Sequence, residues 1–210
     1  MAKEVIILGA GGHSKVVIDM LRKDKQYSIM GIIDISKEKE FMGFPILGDD
    51  THLEKLFQEG VRYAFVAVGS NKVRKKLSDQ LKSIGYILIK VVSENAILSE
   101  YSQIGSGSVI MPGAIINACA TIGDGCIINT GATVDHDTFI GEYTHIAPGT
   151  HISGSSKIGK SCFLGVGTNV IDSISIGDNV MVGAGSTVIR DLKSDCTVVG
   201  TPAKVIKWND

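Results

Sequence analysis

Asp135, His136 and Asp137 are consecutive and set an imidazole between two carboxylates. A neighbouring carboxylate holds a histidine in one tautomer and raises the basicity of the other ring nitrogen, which suits general-base catalysis. Asp137 is the favoured orienting partner, because a chain corner can bring it back onto the ring. A bare Asp-His-Asp also occurs as a solvated acidic corner, so its setting must decide. A second cluster, Gly9-Ala10-Gly11-Gly12-His13, follows an apolar run and opens a helical pattern. Glycines there permit a sharp turn, and the helix start offers free N–H groups to an anion. Asp34 ends the next apolar run, about where an acidic residue meets a ribose hydroxyl in dinucleotide folds, and Gly69 ends another at the same edge. The glycines do not complete G-x-G-x-x-G. A purely structural turn and a nicotinamide site therefore stand beside other ligand-binding readings.

The elements that must position His136 are set by a repeat. From Leu98 to Lys193 the chain reads as sixteen unbroken six-residue units, each opening on Leu, Ile or Val. The fifth residue is small or compact in most units, Ser108, Ala114, Ala120, Cys126, Ala132 and Thr138 among them. Period six fits neither an amphipathic helix nor a two-residue alternation, and fixed self-similarity means a repeat architecture. Each hexad can be a short strand and a turn, and three close a triangular coil of eighteen residues. Coils then stack at a strand spacing of about 4.8 Å, with backbone hydrogen bonds running between them.

This register works as a ruler. His136 is third in its hexad and points outward near a corner. Gly154 lies one coil above, at roughly 5 Å, where a glycine leaves room for a carbonyl and its N–H could face an oxyanion. Cys126 and Cys162 share the inward fifth position two coils apart, about 9.6 Å by strand spacing, too far for a disulfide. His145 is nine residues beyond His136, half a coil away, so one chain cannot bring both to one corner. Metal ligands on one face should be about eighteen residues apart, whereas His136, His145 and His151 are separated by nine, six and fifteen. No catalytic metal is expected. Ile174 replaces the small fifth residue of its hexad and predicts a local bulge.

Before the repeat, apolar runs alternate with helical patterns. Strands are expected at EVIILG, SIMGIID, RYAFVAVG and YILIKVV, and helices over about 14–23, 51–58 and 72–83, with Asp50 or Thr51 capping the second. This alternation implies a parallel sheet flanked by helices, an α/β Rossmann-like domain. The domains are placed at 1–93 and 94–210. The final VVGTPAKVIKWND leaves the register and should fold back or dock on a neighbour. With 210 residues, a formal charge of −1 and 44% hydrophobic content, the chain is an ordinary globular one with no basic field for nucleic acid. The first apolar run is too short for a secretion signal or a membrane span, so a cytoplasmic location is expected.

The hexads resemble the left-handed parallel β-helix of hexapeptide-repeat acyltransferases. GAGGHSK followed by that repeat resembles the bacterial NeuD/PglD-like sugar acetyltransferases over nearly the whole chain. The left hand comes from the resemblance alone. So does the expectation that Gly11, Gly12, His13, Asp34 and Gly69 line a pocket for a nucleotide-linked sugar. It also implies that acetyl-coenzyme A lies between subunits of a homotrimer, along a groove that includes His145, Val166 and Ala184, with Lys204 near its phosphates. The implied reaction is N-acetylation of an amino sugar in surface-glycan biosynthesis. His136 is the base, Asp137 orients it and Gly154 N–H holds the oxyanion. O-acetylation of sialic acid or another sugar, and a non-catalytic nucleotide-sugar-binding protein, are the alternatives.

Overall fold

The computed structural model describes residues 2–36 and 38–208 and divides into two compact units, Met1–Val91 and Val92–Asp210. In the first unit, β1 (Lys3–Leu8) leads through the glycine turn into α1 (Gly12–Lys23), followed by β2 (Tyr27–Ile33). The hairpin β3 (Glu40–Phe41) and β4 (Phe44–Gly48) comes next, then α2 (Leu53–Gln58), β5 (Tyr63–Val66), α3 (Asn71–Ile84) and β6 (Ile87–Leu88). The sheet order is β3-β4-β2-β1-β5-β6, parallel except for the β3–β4 hairpin. Ile6, Leu8, Ile33, Ala64 and Val66 bury one sheet face against Leu53, Leu56 and Leu81.

Two local expectations, the cap of the second helix and the last strand, are corrected. The stretch 36–48 contains the β3–β4 hairpin, which extends the sheet; Lys37 within it lies outside the described residues. A 3-10 turn, Asp50–His52, leads into α2, and its cap is Asp49, whose carboxylate accepts the Thr51 N–H at 3.0 Å. The last predicted strand is not continuous, because pairing with β5 ends at Leu88.

The second unit is a parallel β-helix whose two-residue strands pair with those eighteen residues on. Strands at 109–110, 127–128, 145–146, 163–164 and 181–182 form its first face. Those at 97–98, 115–116, 133–134, 151–152, 169–170 and 187–188 form the second. Those at 103–104, 121–122, 139–140, 157–158 and 175–176 form the third. The interior is filled by the first and fifth residues of each hexad, including Ile110, Ala114, Ile128, Ala132, Ile146 and Leu164. Fifth-position hydroxyls stay satisfied there by donating to carbonyls fifteen residues ahead: Ser108 to Gly123 at 2.8 Å and Thr144 to Gly159 at 2.8 Å. Cys126 and Cys162 occupy the same niche outside any disulfide, their Sγ atoms 3.1 and 3.0 Å from the carbonyls of Gly141 and Gly177. Burial pushes the Cys162 thiol up to about 11, so it stays protonated and unreactive.

Ile174 makes no bulge. Lys157 N–H donates to its carbonyl at 2.8 Å, strand 175–176 pairs in register, and the side chain joins the core. The tail folds back: Cys196–Val199 pairs parallel with strand 181–182, then antiparallel with Lys204–Trp208, and residues 209–210 lie outside the described ones. Among the described residues no helix is long and apolar enough to cross a membrane.

Candidate active site

His136 sits in the turn from the second face to the third, between strands Thr133–Val134 and Phe139–Ile140. Asp137, the fourth residue of the hexad, has a left-handed φ of 57°. That conformation reverses the chain and returns the Asp137 carboxylate to its neighbour, with Oδ2 2.9 Å from His136 Nδ1. An ionised carboxylate only accepts, so Nδ1 carries the proton and Nε2 is left as the basic nitrogen. The hydrogen bond that Nδ1–H donates to Asp137 raises the His136 pKa, and the negative charge of Asp135 adds to it against an opposing effect of burial. Asp135 Oδ1 also accepts the His136 backbone N–H at 2.7 Å.

Gly154 stacks directly above, as the register requires. A Cβ on it would fall 2.6 Å from His136 Cε1 and 2.7 Å from Nε2. The expectation that this glycine leaves room for a carbonyl is therefore corrected: the imidazole itself fills the space. Some third-position N–H groups of the helix are capped by side chains, as at Ser106, Thr130, Lys160 and Asp178, and others, as at Ala118, Val166 and Ala184, have no such cap among the described residues. The Gly154 N–H makes no such bond among the described residues.

His145 lies on the first face, on a different side of the helix from His136. Thr130 N–H donates to Asn129 Oδ1 at 2.8 Å, which fixes the amide so that its Nδ2 donates to His145 Nε2 at 3.1 Å. The ring edge packs on Phe163, centroids 5.0 Å apart. Val166 and Ala184 are exposed and stacked one coil apart at the corner from the first face to the second. Each is followed by a left-handed glycine, Gly167 or Gly185, with open space where a Cβ would be. Lys204 opens the exposed returning strand of the tail. Among the described residues no three His, Cys, Asp or Glu side chains cluster as metal ligands.

In the first unit, Asp34 accepts Ala10 N–H and Ser36 N–H, each at 2.8 Å, so its carboxylate fastens the glycine turn to the loop after β2. Gly11 caps α1 without any side-chain bond, and both Gly11 and Gly12 are exposed with open space at the Cβ position. Leu8, Gly9, Ile33, Asp34, Val68 and Val73 help to line a cavity of about 260 Å³. Gly11, Gly12, His13 and Gly69 are not among its walls. Sequence reasoning missed Arg74: it is buried, and its guanidinium donates to the carbonyls of Val68 and Gly69, 3.1 Å each, and to Asn71 Oδ1 at 2.8 Å. Burial, with the Arg74 charge, lowers the His13 pKa to about 4, so the ring is neutral at pH 7. His13 Nε2 and Ser14 Oγ are buried without hydrogen-bond partners among the described residues. The sequence also gave no role to Asn117, which lies eighteen residues before Asp135 and touches it; the register could have found that pair.

Residues 4–81 match the PglD N-terminal domain, and residues 101–136 and 155–190 match the bacterial transferase hexapeptide repeat. The UDP-N-acetylbacillosamine N-acetyltransferase of Bacillus subtilis (strain 168) is 38% identical over 118 residues, 52% of this chain and 51% of that protein. The GDP-perosamine N-acetyltransferase of Escherichia coli O157:H7 is 26% identical over 112 residues, half of each chain. The chain spans about half the length of these curated relatives in the matches. Among solved structures, PerB from Caulobacter crescentus in complex with CoA and GDP-perosamine is 39% identical, with a TM-score of 0.93 over 99% of both chains. The acetyltransferase domain of PglB from Neisseria gonorrhoeae FA1090, in complex with acetyl coenzyme A, is 34% identical, with a TM-score of 0.93 over 98% of this chain and 100% of that one.

Proposed function

We propose that this chain, which belongs to the PglD-like hexapeptide-repeat sugar acetyltransferases, moves the acetyl group of acetyl-coenzyme A onto the amino group of a nucleotide-linked amino sugar. The observation that carries the reading is the exposed His136 ring, with Nδ1 held by Asp137 and Nε2 free of any hydrogen bond among the described residues. The acceptor nitrogen attacks the thioester carbonyl and passes a proton to His136 Nε2. A C–N bond forms, and the carbonyl becomes a tetrahedral oxyanion within reach of a backbone donor such as Gly154 N–H. Collapse breaks the C–S bond, and the imidazolium returns its proton to the departing coenzyme A thiolate. Asp137 keeps Nδ1 protonated throughout and steadies the imidazolium.

The pantetheine arm would run past Val166 and Ala184, with His145 beside it and Lys204 toward the phosphates. The nucleotide sugar would enter from the glycine turn, using Gly11, Gly12, His13, Asp34 and Gly69. On this reading units 1–93 and 94–210 bind acceptor and donor respectively. The chain acts as a cytoplasmic homotrimer with sites between subunits, in surface-glycan biosynthesis. The test is coenzyme A thiol release with GDP- or UDP-linked amino-dideoxy sugars against hydroxyl acceptors such as sialic acid. His136→Ala should lower turnover about 10²-fold or more without altering assembly. Near-native turnover in that variant, or transfer only to hydroxyl acceptors, would refute the reading.

A further inference from the structure

Asn117 is the second residue of its hexad, one coil below Asp135, and its Nδ2 donates to Asp135 Oδ1 over 2.8 Å. That same oxygen holds the His136 backbone N–H. We propose that Asn117 is a positioning residue: its amide clamps Asp135 so that one carboxylate fixes the His136 turn and keeps a negative charge beside the imidazole. The inference rests on His136 being the base.

Two comparisons within the helix support it. At the neighbouring corner Asn129 caps the Thr130 N–H through its own side-chain oxygen at 2.8 Å. Capping a third-position amide therefore needs no charge, although Asp124 and Asp178 also cap the Ser106 and Lys160 N–H groups; what sets Asp135 apart is the imidazole beside it. The ionisable group it adjoins is His136, whose basicity it raises, while its bonds from His136 N–H and Asn117 hold Asp135 itself in the anionic form. The second comparison is with a cation. A lysine or arginine at 117 would pin Asp135 equally well but would cancel its field, whereas an amide pins it and leaves the charge intact. Asn117 is exposed and outside the core, so the helix does not need it for packing. Asp137 also adjoins the ring, through Nδ1, and Gly154 stacks against it from the coil above; in the register Cys119 and Ser155 lie one coil below and one coil above Asp137.

The experiment is the pH dependence of kcat/KM for acetyl transfer by the intact protein. Its acid limb follows protonation of His136, since the protonated ring cannot accept a proton. Asn117→Ala frees Asp135 to swing into solvent. The limb should move to lower pH and kcat fall roughly fivefold, the rate equivalent of one modest hydrogen bond, with KM for both substrates unchanged. Asn117→Asp sets a second carboxylate against the first and should move the limb to higher pH. Asp135→Asn keeps the cap without the charge and should move it down. Displacements in opposite directions are a signature that mere structural support would not give. If Asn117→Ala and Asn117→Asp both melt like the wild type and leave the limb in place, the inference is wrong. If Asn117→Ala unfolds, the Asn117→Asp and Asp135→Asn limbs decide the matter. An active His136→Ala would instead overturn the assignment of the base on which this rests.

Discussion

Adjacent residues of an extended strand point to opposite sides, so His136 and Asp137 meet only because the chain turns between them. The left-handed φ of Asp137 makes that turn, and Asp is one of the few residues with a side chain that adopts it readily. The pairing was legible in the sequence because the hexad register placed both residues at a corner. The role of Asp34 was less legible: its position beside the glycine turn was evident, but not that two backbone N–H groups already occupy its oxygens. His13 shows the limit of sequence reading more sharply, since its neutrality depends on burial and on Arg74, sixty-one residues away. It also yields a stability prediction. In the unfolded chain His13 takes up its proton near 6.5, in the folded chain only near 4. Between these values the unfolded state binds more protons. The stability present in full above pH 6.5 is therefore lost as pH falls toward 4, by roughly 3 kcal/mol at most. Urea unfolding of wild type and His13→Gln across that range should show the variant losing less; equal losses would mean that His13 does not titrate this way.

At the scale of the turn and coil, glycines at different hexad positions do different work, and substitution should separate them. At the corner from the third face to the first, second-position glycines let successive coils touch backbone to backbone. A Cβ at Gly141 would lie 2.6 Å from the carbonyl carbon of Gly159. Neither backbone can retreat without breaking ladder hydrogen bonds, so Gly141→Ala should destabilise the helix by about 2 kcal/mol or more, seen as a lower melting temperature. At Gly154 the three nearest obstacles are atoms of the His136 ring, an exposed side chain that can yield by giving up its Asp137 hydrogen bond. Gly154→Ala should melt close to wild type yet lose turnover roughly tenfold or more through displacement of the base. A variant with native turnover would remove Gly154 from the site. The period announced the strands, the inward positions and the coil stacking. It could not distinguish a glycine needed for backbone contact from one that seats a side chain, since both read as Gly in the sequence. The predicted bulge at Ile174 failed for a related reason: the fifth position demands burial, and smallness is only its usual means.

For the whole β-helix, the second face carries the argument. Its outward residues are Ile97, Ile115, Thr133, His151, Asn169 and Thr187, none of them Lys, Arg, Asp or Glu, in a chain with 20% charged residues. Depletion of charge marks the cores of subunit interfaces. This face is bounded by the corner bearing His136 on one side and by the corner bearing Val166 and Ala184 on the other. Three copies meeting through it about a common axis would bring the His136 corner of one chain toward the Val166 and Ala184 corner of the next. The two halves of the proposed site, on different sides of one helix, would then be joined between chains. Complementation tests this geometry. His136→Ala and His145→Ala, each purified with low activity, are unfolded together and refolded as an equimolar mixture. An interface is intact when one chain supplies His136 and its neighbour supplies His145, which random assembly gives in about one case in four. Activity should rise toward roughly a quarter of wild type on mixing, with light scattering reporting three chains per particle. If the mixture stays at the average of the two variants, both histidines act within one chain.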